Sequence, residues 1–535
     1  MPFKIIHHGV FSACLMAFCG AEAMGTAAAE SAAPLATAPL ASPVAPVGPR
    51  ALPGSVPADI ASALERARLP RDALVAVVQE VGDASPRWSW RADVPANPAS
   101  LMKLLTTFAG LELLGPAWTW TTPVWLHGSV AGGVLDGDLV IQGSGDPKLV
   151  QERVWLLLRR VQQLGVREIR GDIVIDRSAF SAPSLTSAGM APSTPADFDA
   201  EPLRPYNVRA DALLLNFQSL IFTLLPDVAQ GVARVSVDPP LAGLRGMPGV
   251  PLVAGPCADW RSALKADFSD PGAPKFAGTY ALGCAEKSWP IADADPKSYP
   301  ARVLAGVWQE LGGRLTGTVR DGPAPATPPT FVVTSPALAE VVRDINKFSN
   351  NVMAQQLFLT LALTRRGSGS PELAREVLTE WAQGRLGSAA AGLVIDNGSG
   401  LSRDGRLSAN LLAQLLQRAW ASPVMAELMS SLPVSGVDGT LKRSRATLGR
   451  AHLKTGSLRD VSGVAGYVLG DSGRRYVVVA IVNHPNAAAA RPALFDAVVR
   501  WAASDAEAGM AAGVAPGTKL GASPPRAART APSAP

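Results

Sequence analysis

The sequence predicts an α/β fold, an antiparallel sheet flanked by helices, interrupted by a mostly β insert of one or two domains. At 535 residues the chain is too long for a single hydrophobic core, and roughly two to four domains are expected. Strand-like runs stand on both sides of a helical block, which is typical of one sandwich domain built from two separated parts. Between those parts, from about 122 to 330, short β-like runs alternate with Gly and Pro.

The first part of the sandwich domain is predicted over residues 58–121. Its first helix, "IASALERARL", follows Asp59, a residue suited to cap it, and two strands, "ALVAVVQEV" and "RWSWRAD", come next. A second, strongly apolar helix begins after Asn97 and ends at Gly115. Ser100 therefore lies in its first turn, where free backbone N–H groups and the helix dipole favour developing negative charge.

The insert is predicted over 122–330, with runs such as "GDLVIQG", "GDIVIDRSAF" and "ARVSVD" and one helical stretch near 151–165. An inner domain at about 210–295 contains Cys257 and Cys284. The sequence offers these two cysteines no C-x-x-C and no nearby histidine, so in an oxidising compartment a disulfide suits them better than a zinc site.

The second part of the sandwich domain is predicted over 331–504. It opens with a helical block, "ALAEVVRDINKFSNNVMAQQLFLTLAL" and "NLLAQLLQRAW". Three strands follow, "AHLKTGS", "VSGVAGYVLG" and "RYVVVAIVN", of which the last two form a hairpin, and "LFDAVVRWAA" is a closing helix.

The two ends of the chain differ in composition from the rest. Residues 1–29 have a charged start, an apolar run at 10–21 and A-x-A sites, the pattern of a secretory signal peptide. The run is shorter than the ~20 residues that span a bilayer, so we expect periplasmic export without a stable membrane span. A retained anchor and a lipoprotein at Cys19 stay open as alternatives. The segment 30–57 is an Ala/Pro-rich linker, and 505–535 is predicted to be disordered.

Composition argues against nucleic-acid binding. Hydrophobic residues make up 47% of the chain and charged residues 17%, which is typical of globular domains. The net charge is +5, yet Lys and Arg are scattered and form neither a basic stripe nor a basic and aromatic pattern. A polyanionic cell-wall or membrane neighbourhood fits this charge equally well.

Three short motifs carry the chemistry when they are taken together: an S-x-x-K at Ser100 and Lys103, an S-x-N at Ser349 and Asn351, and a K-T-G that begins at Lys454. A serine hydroxyl needs a base within hydrogen-bond reach to become a nucleophile. Positions i and i+3 share a helix face, so Lys103 can reach Ser100. The lysine acts as a base only if burial or a neighbouring cation lowers its pKa, and Lys454 is the candidate cation.

Each motif also has a structural interpretation. Ser349 is placed to cap the helix that follows it, and Lys454 alone would be a solvated strand lysine. By strand alternation Thr455 points away from Lys454, unless a twisted edge strand brings its hydroxyl to a substrate. A second S-x-x-K at Ser262 is interpreted as surface, and a second S-x-N at Ser408 as a helix N-cap.

The three motifs, their order and the long interval between the first two resemble the class C low-molecular-weight penicillin-binding proteins, which are secreted D-alanyl-D-alanine carboxypeptidases and endopeptidases. The resemblance covers about 57–503 and includes "NPASLMKLLTT", "GDLVIQGSGDP", "DNGSGLSR", "GVDGTL" and "LKTGSLRDVSGVAGYV". It implies the fold of serine β-lactamases and DD-peptidases. The second motif reads Ser-Asn-Asn, where many relatives have Ser-Asp-Asn.

The resemblance implies catalytic roles for five residues. Ser100 would attack the carbonyl of the penultimate D-alanine with Lys103 as general base. Ser349 would relay a proton to the departing amine, and Asn351 would hold the substrate amide and the lysine. Lys454 would bind the terminal carboxylate of the substrate.

The substrate-binding residues implied are Thr455, Gly456 and Ser457. Thr455 would join Lys454 at the carboxylate, and the backbone N–H groups of Ser100 and Ser457 would form an oxyanion hole. The implied substrates are peptidoglycan peptides that end in D-Ala-D-Ala or carry D-Ala cross-links, and β-lactams would be covalent inhibitors. No metal, nucleotide or other cofactor is implied.

Two alternatives remain at this point. A β-lactamase would use the same fold and acyl chemistry, and a wall-binding scaffold would hold peptidoglycan through the insert with an inert cleft. A Ser-His-Asp hydrolase has little support because no G-x-S-x-G elbow occurs. The balance of carboxypeptidase and endopeptidase activity, the stem-peptide preference and the oligomeric state do not follow from the sequence.

Overall fold

The structure is a computed structural model, and it describes residues 55–181, 195–247 and 249–505. The predicted signal peptide at 1–29, the linker before Ser55 and the tail after Asp505 lie outside the described residues. Where the structure describes the chain, none of its helices is both long and apolar enough to cross a membrane.

The helices of the described ranges are α1 (Ala58–Arg66), α2 (Met102–Leu114), α3 (Gln151–Gln163), α4 (Trp260–Ala263), α5 (Tyr299–Glu310), α6 (Leu338–Phe348), α7 (Asn351–Arg366), α8 (Pro371–Leu386), α9 (Ala409–Trp420), α10 (Met425–Ser431) and α11 (Ala490–Ala503). The strands are β1 (Leu74–Glu80), β2 (Trp88–Trp90), β3 (Thr121–Ala131), β4 (Val134–Gln142), β5 (Glu168–Ile169), β6 (Ile173–Asp176), β7 (Ser219–Asp227), β8 (Val232–Asp238), β9 (Val250–Pro256), β10 (Ala266–Asp267), β11 (Lys275–Phe276), β12 (Tyr280–Gly283), β13 (Lys287–Ala292), β14 (Arg314–Leu315), β15 (Val319–Asp321), β16 (Phe331–Thr334), β17 (Ala451–Leu458), β18 (Val461–Leu469) and β19 (Arg475–Asn483).

The sheet of the main domain is antiparallel, in the order β17-β18-β19-β1-β2. It joins strands from both ends of the described chain, because β1 pairs along its whole length with β19. This arrangement confirms the predicted α/β class with a sheet shared by two separated parts. The strand with the K-T-G motif, β17, is at the edge of this sheet, and an isolated bridge between Val434 and His452 covers the first half of its free side.

Helices cover both faces of this sheet. Alternate residues of β1 enter different cores: Leu74, Ala76 and Val78 pack with α1 and α11, whereas Val75 and Val77 pack with α2, α7 and α9. The alternation follows from the period of two along a strand. Since almost every residue of β1 and β19 is buried, both faces are apolar and both need a helical layer.

Two helix ends show details that the sequence pattern did not predict. Pro57 takes the N-cap position of α1 without a side-chain hydrogen bond, and Asp59 lies in the first turn instead. The helical block after Ala337 is divided at Ser349, whose φ of 56° is left-handed, so α6 ends before it and α7 begins at Asn351.

The insert is mostly β, with a core of its own shared by two sheets and by α3 and α5. One sheet has the order β14-β5-β4-β3-β16 with β6 and β15 alongside, and the other has the order β12-β9-β8-β7-β13. The sequence pattern missed α5. Because β16 pairs with β3, we propose that the insert ends after Thr334 rather than at 330.

Candidate active site

Ser100 stands in a short 3-10 turn, Ala99–Leu101, that leads into α2. Ala99 is left-handed with φ 47°, and its N–H donates to the side chain of Asn97 (2.9 Å). Asn97 is fixed in turn by Asn483 at the end of β19, through bonds of 2.7 and 3.0 Å. The serine is therefore presented by a strained turn that is tied to the central sheet.

The amine of Lys103 is completely buried and has three neighbours. Its Nζ lies 2.7 Å from Asn351 Oδ1, 2.7 Å from the carbonyl oxygen of Ser399 and 2.9 Å from Ser100 Oγ. The two carbonyl oxygens can only accept hydrogen bonds, so they take the two N–H groups of a neutral amine. The nitrogen lone pair is then left for the hydroxyl hydrogen of Ser100, which is the geometry of a base beside its nucleophile.

Burial and charge act together on the two lysines of the site. Burial, and secondly the positive charge of Lys454, hold the pKa of Lys103 well below its ordinary value. Burial lowers the pKa of Lys454 to about 7. With Lys103 as the neutral member and Lys454 as the charged member, one amine can accept a proton while the other attracts an anion.

Lys454 reaches the second motif from the edge strand. Its Nζ donates to Ser349 Oγ (2.8 Å) and to the carbonyl oxygen of Thr455 (2.7 Å). The helix-capping interpretation of Ser349 is wrong, because Asn350 caps α7 by accepting from the N–H of Met353 (3.1 Å). The hydroxyl of Ser349 therefore faces the lysine of the third motif.

Gly456 allows the edge strand to lie directly on the turn that carries Ser100. A Cβ at this position would come within 2.7 Å of the carbonyl oxygen of Pro98 and 3.2 Å of the Leu101 side chain. The next residue, Ser457, is exposed. The oxyanion hole formed by the N–H groups of Ser100 and Ser457 stays a prediction, supported by this close approach.

The sequence did not single out the loop that supplies a carbonyl to Lys103. Asn397 Oδ1 accepts from the N–H of Ser399 (3.1 Å), the hydroxyl of Ser399 (2.7 Å) and the N–H of Gly400 (3.0 Å). Gly400 is left-handed, with φ 72°, and a Cβ there would lie 1.9 Å from the carbonyl oxygen of Ala99. The segment "DNGSGLSR" is similar to the family, but side-chain types do not reveal which backbone carbonyl accepts a hydrogen bond.

A turn within "GVDGTL" contacts the free side of the K-T-G strand. The hydroxyl of Thr455 lies 2.8 Å from that of Thr440. Asp438, two residues earlier, accepts from the buried Lys347 Nζ (2.6 Å) and from the N–H of Val434 (2.8 Å). Partial burial acts to raise the pKa of Asp438, but these hydrogen bonds outweigh it and hold the pKa below its usual value.

The insert also touches the site. Asn351 Nδ2 donates to the carbonyl oxygen of Tyr206 (3.0 Å), while the Oδ1 of the same side chain accepts from Lys103. Five residues further along α7, Gln356 exchanges two hydrogen bonds with the backbone of Asp211 (3.0 and 2.8 Å). The first half of α7 is thus held against the insert at two positions, and Asn351 also contacts Lys103 of the main domain.

The two duplicate motifs lie where the sequence predicted. Ser262 and Lys265 are exposed in the insert, and Ser262 donates to Asp259. Ser408 caps α9 by accepting from the N–H of Leu411 (3.0 Å). Neither motif takes part in the cluster of Ser100, Lys103, Ser349, Asn351 and Lys454.

The two cysteines of the insert are joined. Cys257 and Cys284 form a disulfide with a Cα separation of 4.4 Å. Within the described residues, no group of three or more His, Cys, Asp or Glu side chains is placed to hold a metal ion.

Comparison with known proteins decides the family. The sequence model of the D-Ala-D-Ala carboxypeptidase 3 (S13) family matches residues 56–505. The chain belongs to this family. The S13 match includes both parts of the main domain and the whole insert.

Individual relatives of this S13 protein agree with the match. A D-alanyl-D-alanine carboxypeptidase of Actinomadura sp. is 30% identical over 75% of this chain and 76% of its own length. The carboxypeptidase DacB of Haemophilus influenzae is 23% identical over 72% of this chain and 80% of its own length. The crystal structure of penicillin binding protein 4 from H. influenzae covers 79% of this chain and 93% of its own, with a TM-score of 0.62 and 20% identity, and shows the same fold.

Proposed function

We propose that this protein is a serine-type D-Ala-D-Ala carboxypeptidase and endopeptidase that cleaves peptidoglycan stem peptides through an acyl-enzyme and is inhibited by β-lactams. The contact between Ser100 Oγ and a buried Lys103 whose other neighbours are both carbonyl oxygens carries the proposal. S13 membership and relatives named as D-alanyl-D-alanine carboxypeptidases support it. We also propose that the protein acts in the periplasm after removal of residues 1–29.

The reaction starts with proton transfer from Ser100 Oγ to Lys103 Nζ as the oxygen attacks the carbonyl carbon of the penultimate D-alanine. The oxyanion is held by the N–H groups of Ser100 and Ser457. The proton passes to the leaving amine through Ser349, which Lys454 contacts (2.8 Å), and the C–N bond breaks. Water then hydrolyses the ester, and Ser100 recovers its proton.

The carboxylate of the leaving residue is the natural partner for the positive charge of Lys454 and the hydroxyl of Thr455. A neutral hydroxyl and an ammonium together favour a planar anion that accepts several hydrogen bonds. A β-lactam presents the same carboxylate beside its reactive carbonyl, so the same residues would orient it.

Two incubations test the proposal. The protein is mixed with a pentapeptide ending in D-Ala-D-Ala and, separately, with a cross-linked dimer muropeptide, and the products are analysed by mass. We expect free D-alanine and resolved monomers, both blocked by penicillin and both absent with Ser100→Ala. Folded protein that releases neither product, or a Ser100→Ala variant that retains activity, would contradict the proposal.

Nitrocefin separates this enzyme from the β-lactamase alternative. A carboxypeptidase is expected to form a long-lived penicilloyl adduct on Ser100 and to turn nitrocefin over slowly, because deacylation is then limiting. Fast and repeated turnover without an accumulating adduct would favour a β-lactamase. The inert-scaffold alternative predicts neither adduct nor turnover.

The pH dependence of acylation reports on the two lysines. Because the pKa of Lys103 is held well below its ordinary value, the rate of acylation by benzylpenicillin should begin to rise with pH well before ordinary lysines titrate. The rate should fall again above about pH 7, where Lys454, with a pKa of about 7, loses the positive charge that binds the carboxylate. In Lys454→Met the neighbouring charge is lost, so the pKa of Lys103 rises and the acidic limb moves to higher pH. If the acidic limb of the pH profile does not move in Lys454→Met, burial alone sets the pKa of Lys103.

Thr440 is expected to position the hydroxyl of Thr455. In Thr440→Val that hydroxyl loses its partner, and we expect KM for the pentapeptide to rise about 2–10-fold with a smaller change in kcat, the value of one hydrogen bond. Thr440→Ser keeps a hydroxyl and is the matched control. Equal effects of the Val and Ser variants would indicate a packing role instead.

A further inference from the structure

Three large apolar side chains are exposed beside the active site. Phe348 is 65% exposed, Val437 57% and Leu448 65%. We call these three residues the leaving-side patch. Exposed apolar residues that occur singly need no explanation, but three on adjoining segments next to a catalytic centre point to a ligand.

The segments that carry the patch are held together by an ion pair and by a side-chain contact. Phe348 follows Lys347, and Val437 precedes Asp438, so the ion pair between Lys347 Nζ and Asp438 Oδ2 (2.6 Å) holds these two patch residues on adjoining segments. Leu448 lies against the same turn, because a Cβ on Gly436 would come within 2.2 Å of its Cδ2.

The patch is adjacent to the groups that contact the leaving residue. Phe348 directly precedes Ser349, the proposed proton relay. Val437 is three residues before Thr440, whose hydroxyl bonds that of Thr455 at the carboxylate position (2.8 Å). Asn351, which would hold the acyl part of the substrate, is turned instead toward Tyr206 of the insert (3.0 Å). The patch therefore adjoins Ser349 and Thr440, which contact the groups proposed to act on the leaving residue.

The charges next to the patch are positive. Lys442, Arg443 and Arg445 are exposed in the loop between Thr440 and Leu448. Among the residues that the structure describes, no carboxylate lies within ion-pair distance of these three, whereas Asp438 is already paired with Lys347. An apolar surface edged by unpaired cations fits an acidic peptide with aliphatic side chains.

We propose that the leaving-side patch binds the stem peptide that departs when a cross-link is cleaved, and so favours endopeptidase over carboxypeptidase activity. The inference rests on the proposed function and specifies its leaving-group subsite. A departing D-alanine has one methyl group and one carboxylate, which Lys454 and Thr455 already engage. A departing stem peptide extends further and carries both aliphatic carbon and additional carboxylates, which match Phe348, Val437 and the basic loop.

The test compares two substrates in the full-length protein. Phe348→Ser is expected to lower the ratio of kcat/KM for the cross-linked dimer to kcat/KM for the pentapeptide about tenfold, the value of one partly buried aromatic contact. Leu156→Ser, at a position 57% exposed on α3 of the insert, is the matched control and should leave the ratio unchanged. A Lys442→Gln and Arg443→Gln double variant should lower the ratio less, and only at low salt.

A ratio that is unchanged in Phe348→Ser, or that falls as far in Leu156→Ser, would overturn the subsite. Failure of the proposed function can be told apart from failure of the subsite, since the unsubstituted enzyme would then cleave neither substrate. In that case the subsite is tested by measuring how tightly the intact dimer binds to Ser100→Ala protein. Weaker binding after the added Phe348→Ser change supports the patch, and equal binding refutes it.

Discussion

Replacing Lys103 with Met is expected to slow the acylation of Ser100 by benzylpenicillin about 10²–10⁴-fold, the usual contribution of a positioned base. The amine of Lys103 lies 2.9 Å from Ser100 Oγ, and its other two contacts are carbonyl oxygens that cannot take a proton from serine. Methionine has a similar length and fits a buried site, so the variant should fold. The measurement is the rate of appearance of the penicilloyl adduct by mass spectrometry.

Lys265→Met is the matched control for this prediction. It alters the lysine of the second S-x-x-K, which is exposed in the insert, and should leave acylation unchanged. Acylation of Lys103→Met at the parental rate would exclude this lysine as the base. An unfolding transition measured alongside separates loss of chemistry from loss of structure.

Substituting Gly400 with Ala is expected to reduce both stability and acylation. At φ 72° an alanine is strained, and its Cβ would be 1.9 Å from the carbonyl oxygen of Ala99, next to the nucleophile. The strain costs about 1–2 kcal/mol and forced repacking about 1–3 kcal/mol, so the free energy of unfolding should fall by about 2–5 kcal/mol. Because the preceding residue, Ser399, supplies the carbonyl that fixes Lys103, the acylation rate should fall as well.

Gly473 offers a control with a similar positive φ but open space around it. Its φ is 84°, and a Cβ there would have no neighbour within 4 Å. In Gly473→Ala the free energy of unfolding should therefore fall only by the cost of backbone strain, about 1–2 kcal/mol, and the acylation rate should equal that of the parent. Equal losses in the two variants, measured by denaturant unfolding, would show that contact with the Ser100 turn is unimportant.

The sequence was sufficient for features that depend on local periodicity. The i, i+3 spacing of Ser100 and Lys103 brought their side chains together as expected, and apolar periodicity located α2 and β19. The approach of Lys454 to Ser349 required knowledge of how β17 meets α6, which the family resemblance supplied and local pattern did not.

Features set by tertiary contacts were not predicted. Nothing in "FSNN" indicates that Ser349 adopts the left-handed conformation with which α6 ends. The contribution of Ser399 is a backbone carbonyl, and those of Thr440 and Tyr206 depend on segments distant in sequence coming together. Propensity and spacing describe side-chain types along one element, so they carry no information about such encounters.

The carboxamide of Asn351 illustrates what the inserted region contributes to the catalytic domain. Rotation of this group by half a turn would exchange its oxygen and nitrogen at almost no cost in shape. The carbonyl of Tyr206 accepts hydrogen bonds and cannot donate them, so only the NH₂ end can face it, and the oxygen is forced toward Lys103. If the insert were excised or undocked, the orientation of the Asn351 carboxamide would no longer be fixed. Its NH₂ group could then point at the amine of Lys103, whose lone pair must stay free.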